Sequence, residues 1–363
     1  MSLNQINIGK GFVAVAGVFS DSDFLEYLHK NSAIDYVEQN QIYKSTAVPN
    51  QETIIHSHPN ITMLTKRTMN RRDSTTIKST KSANWGLARI NQHSKGDLTK
   101  YTFDSLGGIG IDVFILDTGV YPQHEDFEGR AYQSINLVMN EAIDDIGGHG
   151  THVAGKVIGR DYGVAKNAQI KAVKILNKMG DGSTSGLLRG IEYVIQNARP
   201  GKSVVNLSLS GPKSKMIDDA LNSLVLEYNI PIFVSAGNSG TDACFYSPSS
   251  NPNVFTVGAT DINDIVPPFS NVGQCVDIYA PGVNITSSYI TDRMAFISMD
   301  GTSMASPHVA GVAANLMSKK DYQSAHEVYS DIKELATRNA LSFDYVRSTS
   351  PNNNLLAFNQ VTN

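Results

Sequence analysis

The feature that most limits what this chain can become is a series of short, uninterrupted apolar runs. They are 111–116 IDVFIL, 170–176 IKAVKIL, 203–209 SVVNLSL, 230–235 IPIFVS and 254–258 VFTVG. A strand with one wet face alternates polar and apolar residues, whereas a strand buried on both faces has no need to. Helical patterns lie between several of the runs, TSGLLRGIEYVIQNA at 184–198 and SKMIDDALNSLVLEY at 214–228. Strand alternating with helix predicts an α/β fold with a mostly parallel sheet. Functional residues then gather at the carboxyl ends of the strands.

Composition fixes the broad class. At roughly 150 residues per domain, 363 residues make two domains, or one large domain with an appendage. Apolar residues are 41% and charged residues 18%, which excludes a wholly disordered chain. Thirty basic against 34 acidic residues leave a net charge of −4, so neither nucleic acid nor an anionic membrane is an expected partner. No stretch approaches the ~18 continuous apolar residues of a membrane span. Two cysteines exclude a disulfide scaffold and a four-cysteine zinc site, but allow one bridge.

The first 43 residues read as a small unit of their own. GFVAVAGV at 11–18 is a strand, DSDFLEYLHKN at 21–31 a helix capped by Asp21 or Ser22, and AIDYVEQNQIY at 33–43 a second strand. Such a unit is too small to stand comfortably alone. Residues 44–84 have no sustained period. From 60 to 90 there are seven basic residues (Lys66, Arg67, Arg71, Arg72, Lys78, Lys81, Arg89) and one acidic, Asp73. This reads either as a plain basic loop or as a cleavable connector with Lys66-Arg67 and Arg71-Arg72 as dibasic sites. Residues 1–10 carry no basic segment followed by an apolar one. As written the chain has no secretory signal, which leaves a shortened N-terminus and a cytosolic form as the two readings.

Three segments sit where an α/β sheet gathers its chemistry. Asp117 follows IDVFIL in DTGV, His149 stands in GGHGTHVAG, and Ser303 opens the Ala-rich helix of GTSMASPHVAG. Each alone is weak: an Asp ending a strand is usually a turn residue, and small residues at a helix start are often tight packing. His149 and His152 have a spacing that can ligate a metal, but no HExxH-type motif surrounds them. Together the three make sense as a hydroxyl nucleophile, an imidazole base and a carboxylate that holds the base. Asn238, in VSAGN after the 230–235 run, supplies a donor for a developing oxyanion.

With these residues in place the chain resembles the subtilisin family of serine proteases over about 85–360. It is most similar to the proteinase K and cerevisin-like fungal branch, through DTGV, GHGTHVAG, AGN, GTSMASPHVAG, WGLARI, DACFYSPSS, CVDIYAPG and NLLAFN. The resemblance implies a three-layer fold: a peptidase domain at 85–363, preceded by a partial α+β inhibitory propeptide at 1–45 and a basic linker with its processing region at 46–84. It implies hydrolysis through an acyl-enzyme, with Asp117 orienting His149, His149 as base toward Ser303, and Asn238 with the Ser303 N–H as oxyanion hole. Ser208, Leu209 and Ser210 would grip the substrate on one side and Gly180, Asp181 and Gly182 on the other, as an added strand with broad specificity. Ser235, Ala236 and Gly237 would floor a pocket for an apolar or aromatic P1 side chain, P1 being the residue whose carbonyl is attacked. The VEQNQIY tail would lie in the active site.

Further implications concern stability and location. Cys244 and Cys275 match a cysteine pair of cerevisin-like members, the alternative being two buried thiols. Pro252, Val254 and Asp277 resemble a calcium site of proteinase K type, with Asp277 equally able to cap a turn. No cofactor is needed for the chemistry. The partners would be polypeptide substrates and the propeptide, the protein a monomer, and the location the secretory pathway, the vacuolar lumen or outside the cell. Of three N-x-S/T sequons, at Asn60, Asn206 and Asn284, the middle one lies in an expected buried strand. Departures from the family are Ser210 for the usual Gly, Asp300 for Ser or Asn, Val153 for Cys, and Thr184 for an aromatic. Asp300 is expected to raise the pKa of His149, and Ser210 to narrow the first pocket or push substrate away. Two rivals are a catalytically silent protein of this fold and a metal hydrolase using His149 and His152.

Overall fold

The computed structural model describes residues 4–19, 21–49, 63–65, 77–81, 84–346 and 352–360. Most of the basic linker, with both dibasic pairs and Asn60, lies outside these residues. The five apolar runs become the strands Asp112–Asp117, Gln169–Lys174, Ser203–Leu207, Ile232–Ser235 and Phe255–Thr260. They are neighbours in a nine-stranded sheet. Its order is Thr337–Arg338, Leu355–Leu356, Ile278–Pro281, Phe255–Thr260, Ile232–Ser235, Ser203–Leu207, Asp112–Asp117, Gln169–Lys174 and Ala131–Asn136. Every pairing is parallel except that of the two shortest strands, Thr337–Arg338 and Leu355–Leu356. Val113, Ile115, Val205, Val234 and Val257 are buried, as unalternating runs require.

The helices flank this sheet and start where the sequence places caps. Ser183 accepts from Gly186 N at the head of Thr184–Asn197, and Ser214 from Ile217 N at the head of Lys215–Leu226. The helix Thr302–Met317 is buried along its whole length. Pro307 has no N–H for the Ser303 carbonyl, which accepts instead from Ser208 Oγ at 3.1 Å. Cys244 and Cys275 form a disulfide across a sequence separation of 31. Replacing both by Ala is expected to cost roughly 3 kcal/mol in the loop-entropy account, read as a lower denaturant midpoint under non-reducing conditions.

The N-terminal unit differs from its sequence reading. Phe12–Ala16 and Ser22–Lys30 form as expected, with Asp21 accepting from Asp23 N and Phe24 N. Asn4–Ile8 is an additional strand, antiparallel to Phe12–Ala16. Its Ile6 and Ile8 are buried, and Asn7 N donates to Glu192 on a helix of the large domain at 2.9 Å. Residues 33–41 are not a strand. Strand geometry begins at Ile42 and ends at Ser45, where the chain pairs with two strands of the large domain.

Candidate active site

Asp117 closes its strand and His149 opens the helix His149–Ile158. The two meet because Gly150 lies against the DTGV turn: a Cβ there would stand 2.1 Å from the Gly119 carbonyl oxygen. His149 Nδ1 is 2.7 Å from Asp117 Oδ1, which also accepts from Thr118 N at 2.7 Å. A carboxylate partner puts the ring proton on Nδ1 and the lone pair on Nε2. Burial works against a charged His149, but the Asp117 carboxylate outweighs it by charge and by hydrogen bond, with Asp145 adding. The net pKa lies above the ordinary imidazole value.

Sequence reasoning missed Asp145. Its Oδ1 accepts from Gly147 N, Gly148 N and Thr118 Oγ1, and its Oδ2 from Thr151 N and Thr151 Oγ1. It therefore holds the first turn of the histidine helix to the Asp117 loop. The only signal for it was an acidic residue just ahead of a helix start. The second carboxylate acting on His149 is thus Asp145 rather than Asp300. Asp300 Oδ1 accepts from Asn284 N at 2.6 Å.

His152 does not join His149. Its Nε2 lies 2.9 and 3.1 Å from the carbonyls of Ile285 and Ile297, which fixes that nitrogen as a donor. Burial, with the charges of His149 and Lys156, pushes its pKa down to about 3. His149 Nδ1 is already taken by Asp117, and no third His, Cys, Asp or Glu among the described residues joins the two histidines in a group that could hold a metal, so the metal-hydrolase reading finds no ligand set.

Gly301 (φ 146°) precedes the serine helix, and Ser303 sits in its first turn. Thr302 N and Thr302 Oγ1 both donate to Asn238 Oδ1, at 3.0 and 2.8 Å, so the amide nitrogen of Asn238 must face the cleft. There Asn238 Nδ2 donates to the carbonyl oxygen of Thr46 at 2.7 Å, and Ser303 N donates to the same oxygen at 3.2 Å. A Cβ on Gly301 would reach 2.2 Å from that oxygen, so glycine keeps the position open. Ser303 Oγ donates to Ser208 O at 3.0 Å, accepts from Thr46 N at 3.0 Å and lies 2.7 Å from Thr46 Oγ1. The structure therefore does not join Ser303 to His149. His149 Nε2 is buried with no hydrogen-bond partner among the described residues.

The occupant of the cleft is the chain itself. Ile42–Ser45 runs antiparallel between Asp181–Ser183 and Leu209–Ser210. Ser45 N donates to Gly180 O at 2.8 Å, and Thr46 N to Ser208 O at 3.2 Å. Tyr43 is buried, with its hydroxyl on Pro212 O at 3.0 Å, and a Cβ at Gly211 would strike its ring at 2.5 Å. Gly182 pairs with Tyr43 and Ser210 with Lys44, so the Ser210 side chain does not push the strand away. Ser235 lies under Thr46, Ala236 is buried, and a Cβ on Gly237 would meet Asn271 Nδ2 at 2.4 Å. Past the site, Val48–Pro49 pairs with Met299–Asp300. The tail expected here, VEQNQIY, is displaced by three residues: Thr46 is the residue at Ser303. Backbone pairing sets this register, and backbone pairing has no side-chain signature.

The calcium reading does not fit its residues. Asp277 Oδ2 accepts from Thr256 N at 2.8 Å and Oδ1 meets Lys333 Nζ at 2.5 Å. A cation beside Pro252 and Val254 would face the lysine ammonium across a carboxylate already neutralised. No group of three or more His, Cys, Asp or Glu among the described residues could hold a metal ion. Asn206 is fully buried, its Nδ2 donating to Ser208 Oγ and its Oδ1 accepting from Ser306 Oγ, which puts that sequon out of reach of solvent.

The profile of the Subtilase family matches residues 108–360. "Alkaline protease 2" of Aspergillus fumigatus is 39% identical over 381 residues, covering 98% of this chain and 70% of that protein. "Subtilisin-like protease 1" of Pseudogymnoascus destructans is 41% identical over 283 residues, covering 78% of this chain and 69% of that one. The crystal structure of a cold adapted subtilisin-like serine proteinase superimposes with a TM-score of 0.71 at 38% identity. It covers 77% of this chain and 100% of that one.

Proposed function

The chain belongs to the subtilase family of serine endopeptidases, and from that premise we propose that Asp117, His149 and Ser303 are its catalytic triad. A turn of the Ser303 side chain away from Ser208 O brings its hydroxyl to the free lone pair of His149 Nε2. Oγ then attacks the P1 carbonyl carbon while His149 takes the proton, and Asp117 stabilises the imidazolium. The carbonyl oxygen, now negative, keeps the two donors Asn238 Nδ2 and Ser303 N. His149 returns the proton to the leaving amine, and the C–N bond breaks to leave an acyl-enzyme. Water, activated by the same imidazole, hydrolyses the ester and frees the acid.

The first substrate is internal. Thr46 offers its carbonyl to both oxyanion donors, so the bond to be cut is Thr46–Ala47. Cleavage leaves residues 1–46 in the cleft as a product-like inhibitor, places 47–84 on the processed chain, and makes 85–363 the peptidase domain. Backbone pairing on both sides of Ile42–Ser45 supports broad cleavage of extended polypeptides. The disulfide fits an oxidising compartment, and with it a secretory, vacuolar or extracellular location.

The single observation that carries this reading is the Thr46 carbonyl oxygen held 2.7 Å from Asn238 Nδ2 and 3.2 Å from Ser303 N. Labelling with a fluorophosphonate, with Ser303→Ala as control, tests it together with N-terminal sequencing of the processed chain. Stoichiometric label lost in the variant and a new terminus at Ala47 are expected. Asn238→Ala is expected to slow the appearance of that terminus by about 10²-fold, the cost of one oxyanion donor. The missing Ser303–His149 hydrogen bond favours one rival, a catalytically silent scaffold. A folded chain that takes no label and never cleaves would establish it.

A further inference from the structure

The pocket beside Ser303 carries information about which substrates the enzyme accepts. We propose that it selects a hydroxyl-bearing P1 residue, threonine above all, and that Ser235 is the residue that makes the selection. This rests on the protease reading above. It replaces the preference for apolar or aromatic P1 that small floor residues imply from sequence.

Thr46 is buried, and its Oγ1 donates to Ser235 Oγ at 2.7 Å. Ser235 Oγ in turn donates to the Leu209 carbonyl at 3.2 Å. Leu209 is itself the cleft residue that pairs with Ser45, so the floor of the pocket is tied to the wall that grips the backbone. Thr46 Oγ1 also lies 2.7 Å from Ser303 Oγ, where either oxygen can donate. With Thr46 donating to Ser235 and Ser235 to Leu209 O, the one Ser303 hydroxyl proton goes either to Thr46 Oγ1 or to Ser208 O. The next layer is polar as well. The space a Cβ on Gly237 would take is bounded by Asn271 Nδ2 at 2.4 Å and Ser210 Oγ at 3.2 Å.

A valine in place of this threonine has the same shape but sets a methyl group against two hydroxyl oxygens. A phenyl ring would have to enter a pocket floored and walled by Ser235 and Ser210. A buried hydroxyl that loses its partner is penalised more than the bond itself is worth, so the isosteric pair discriminates well.

The test uses the full-length chain after it has processed itself, assayed on fluorogenic peptides Tyr-Lys-Ser-X with Thr, Val or Phe at X. In the unmodified enzyme kcat/KM for Thr is expected to exceed that for Val by about tenfold, with Phe below Thr. In Ser235→Ala the Thr/Val ratio is expected to collapse to about one. This is a ratio within one variant, so any general loss of activity cancels. Val or Phe turned over as fast as Thr by the unmodified enzyme overturns the proposal and leaves the protease reading standing. So does a Thr/Val ratio that survives in Ser235→Ala. No hydrolysis of any peptide, with Ser303 unlabelled, overturns both.

Discussion

The Asp117→Asn variant is expected to fold as the parent does and to lose about 10⁴-fold in kcat. Asn can keep an oxygen at the Oδ1 position, where Thr118 N and His149 Nδ1 both donate, so the local hydrogen bonds do not force a rearrangement. What disappears is the negative charge facing the imidazolium that forms when Ser303 gives up its proton. The site is buried, so water does not replace that charge. The variant also puts an amide nitrogen where Asp117 Oδ2, buried and without a hydrogen-bond partner, now stands. A second readout separates this from general damage. Only neutral His149 is a base, so kcat/KM falls as pH drops through its pKa. Because Asp117 is the leading influence raising that pKa, the acid limb of the parent lies above the ordinary imidazole range, and in Asp117→Asn it moves to lower pH. An acid limb that stays in place would show that Asp117 does not set the charge state of His149. Asp145→Asn is expected to move it the same way by less.

The other large effect concerns a residue with no part in the chemistry. Lys156 lies on the histidine helix, is fully buried, and its Nζ has no hydrogen-bond partner among the described residues. Burial first, then the charge of Lys166, lowers its pKa to about 7, with Asp126 opposing. For a base this shift destabilises. Between about 7 and 10.5 the unfolded chain holds a proton that the folded chain does not, so stability rises with pH across that window. Lys156→Met keeps the length and removes the charge. It is expected to stabilise the protein by about 4 kcal/mol at neutral pH, in line with replacement of buried charges by apolar groups. The gain is expected to shrink toward zero as pH approaches 10.5. Urea titrations at two pH values check both. A gain independent of pH would mean that packing, and not ionisation, accounts for it.

Much of the fold was legible because burial on both faces leaves a mark in sequence. The five apolar runs became five adjacent parallel strands, and capping serines marked helix starts at residues 183 and 214. The residues of the candidate site were legible as motifs because each needs glycines around it for steric reasons, as at Gly150 and Gly301. What failed was long-range and mediated by backbone. The strand through the cleft was expected to end at Tyr43, but pairing with Ser210 and Leu209 carries it through Ser45, and Thr46 N still reaches Ser208 O. Asp277 read as an oxygen ligand because nothing in sequence shows that Lys333, 56 residues later, reaches it. Asp300 looked close to the site because it lies three residues before Ser303, whereas the strand turns its carboxylate to Asn284.

Because Ile42–Thr46 is covalently part of the molecule it fills, its hold on the cleft is a unimolecular equilibrium. Dilution cannot loosen it, and a precursor at trace concentration is as thoroughly blocked as one at high concentration. The cleavage proposed at Thr46–Ala47 would change the order of that equilibrium rather than any contact within the cleft. From then on the released segment is lost by dissociation and regained only by collision, so the fraction of open enzyme becomes a function of total protein. Crowded, freshly cut enzyme stays closed; the same molecules, once dispersed, open.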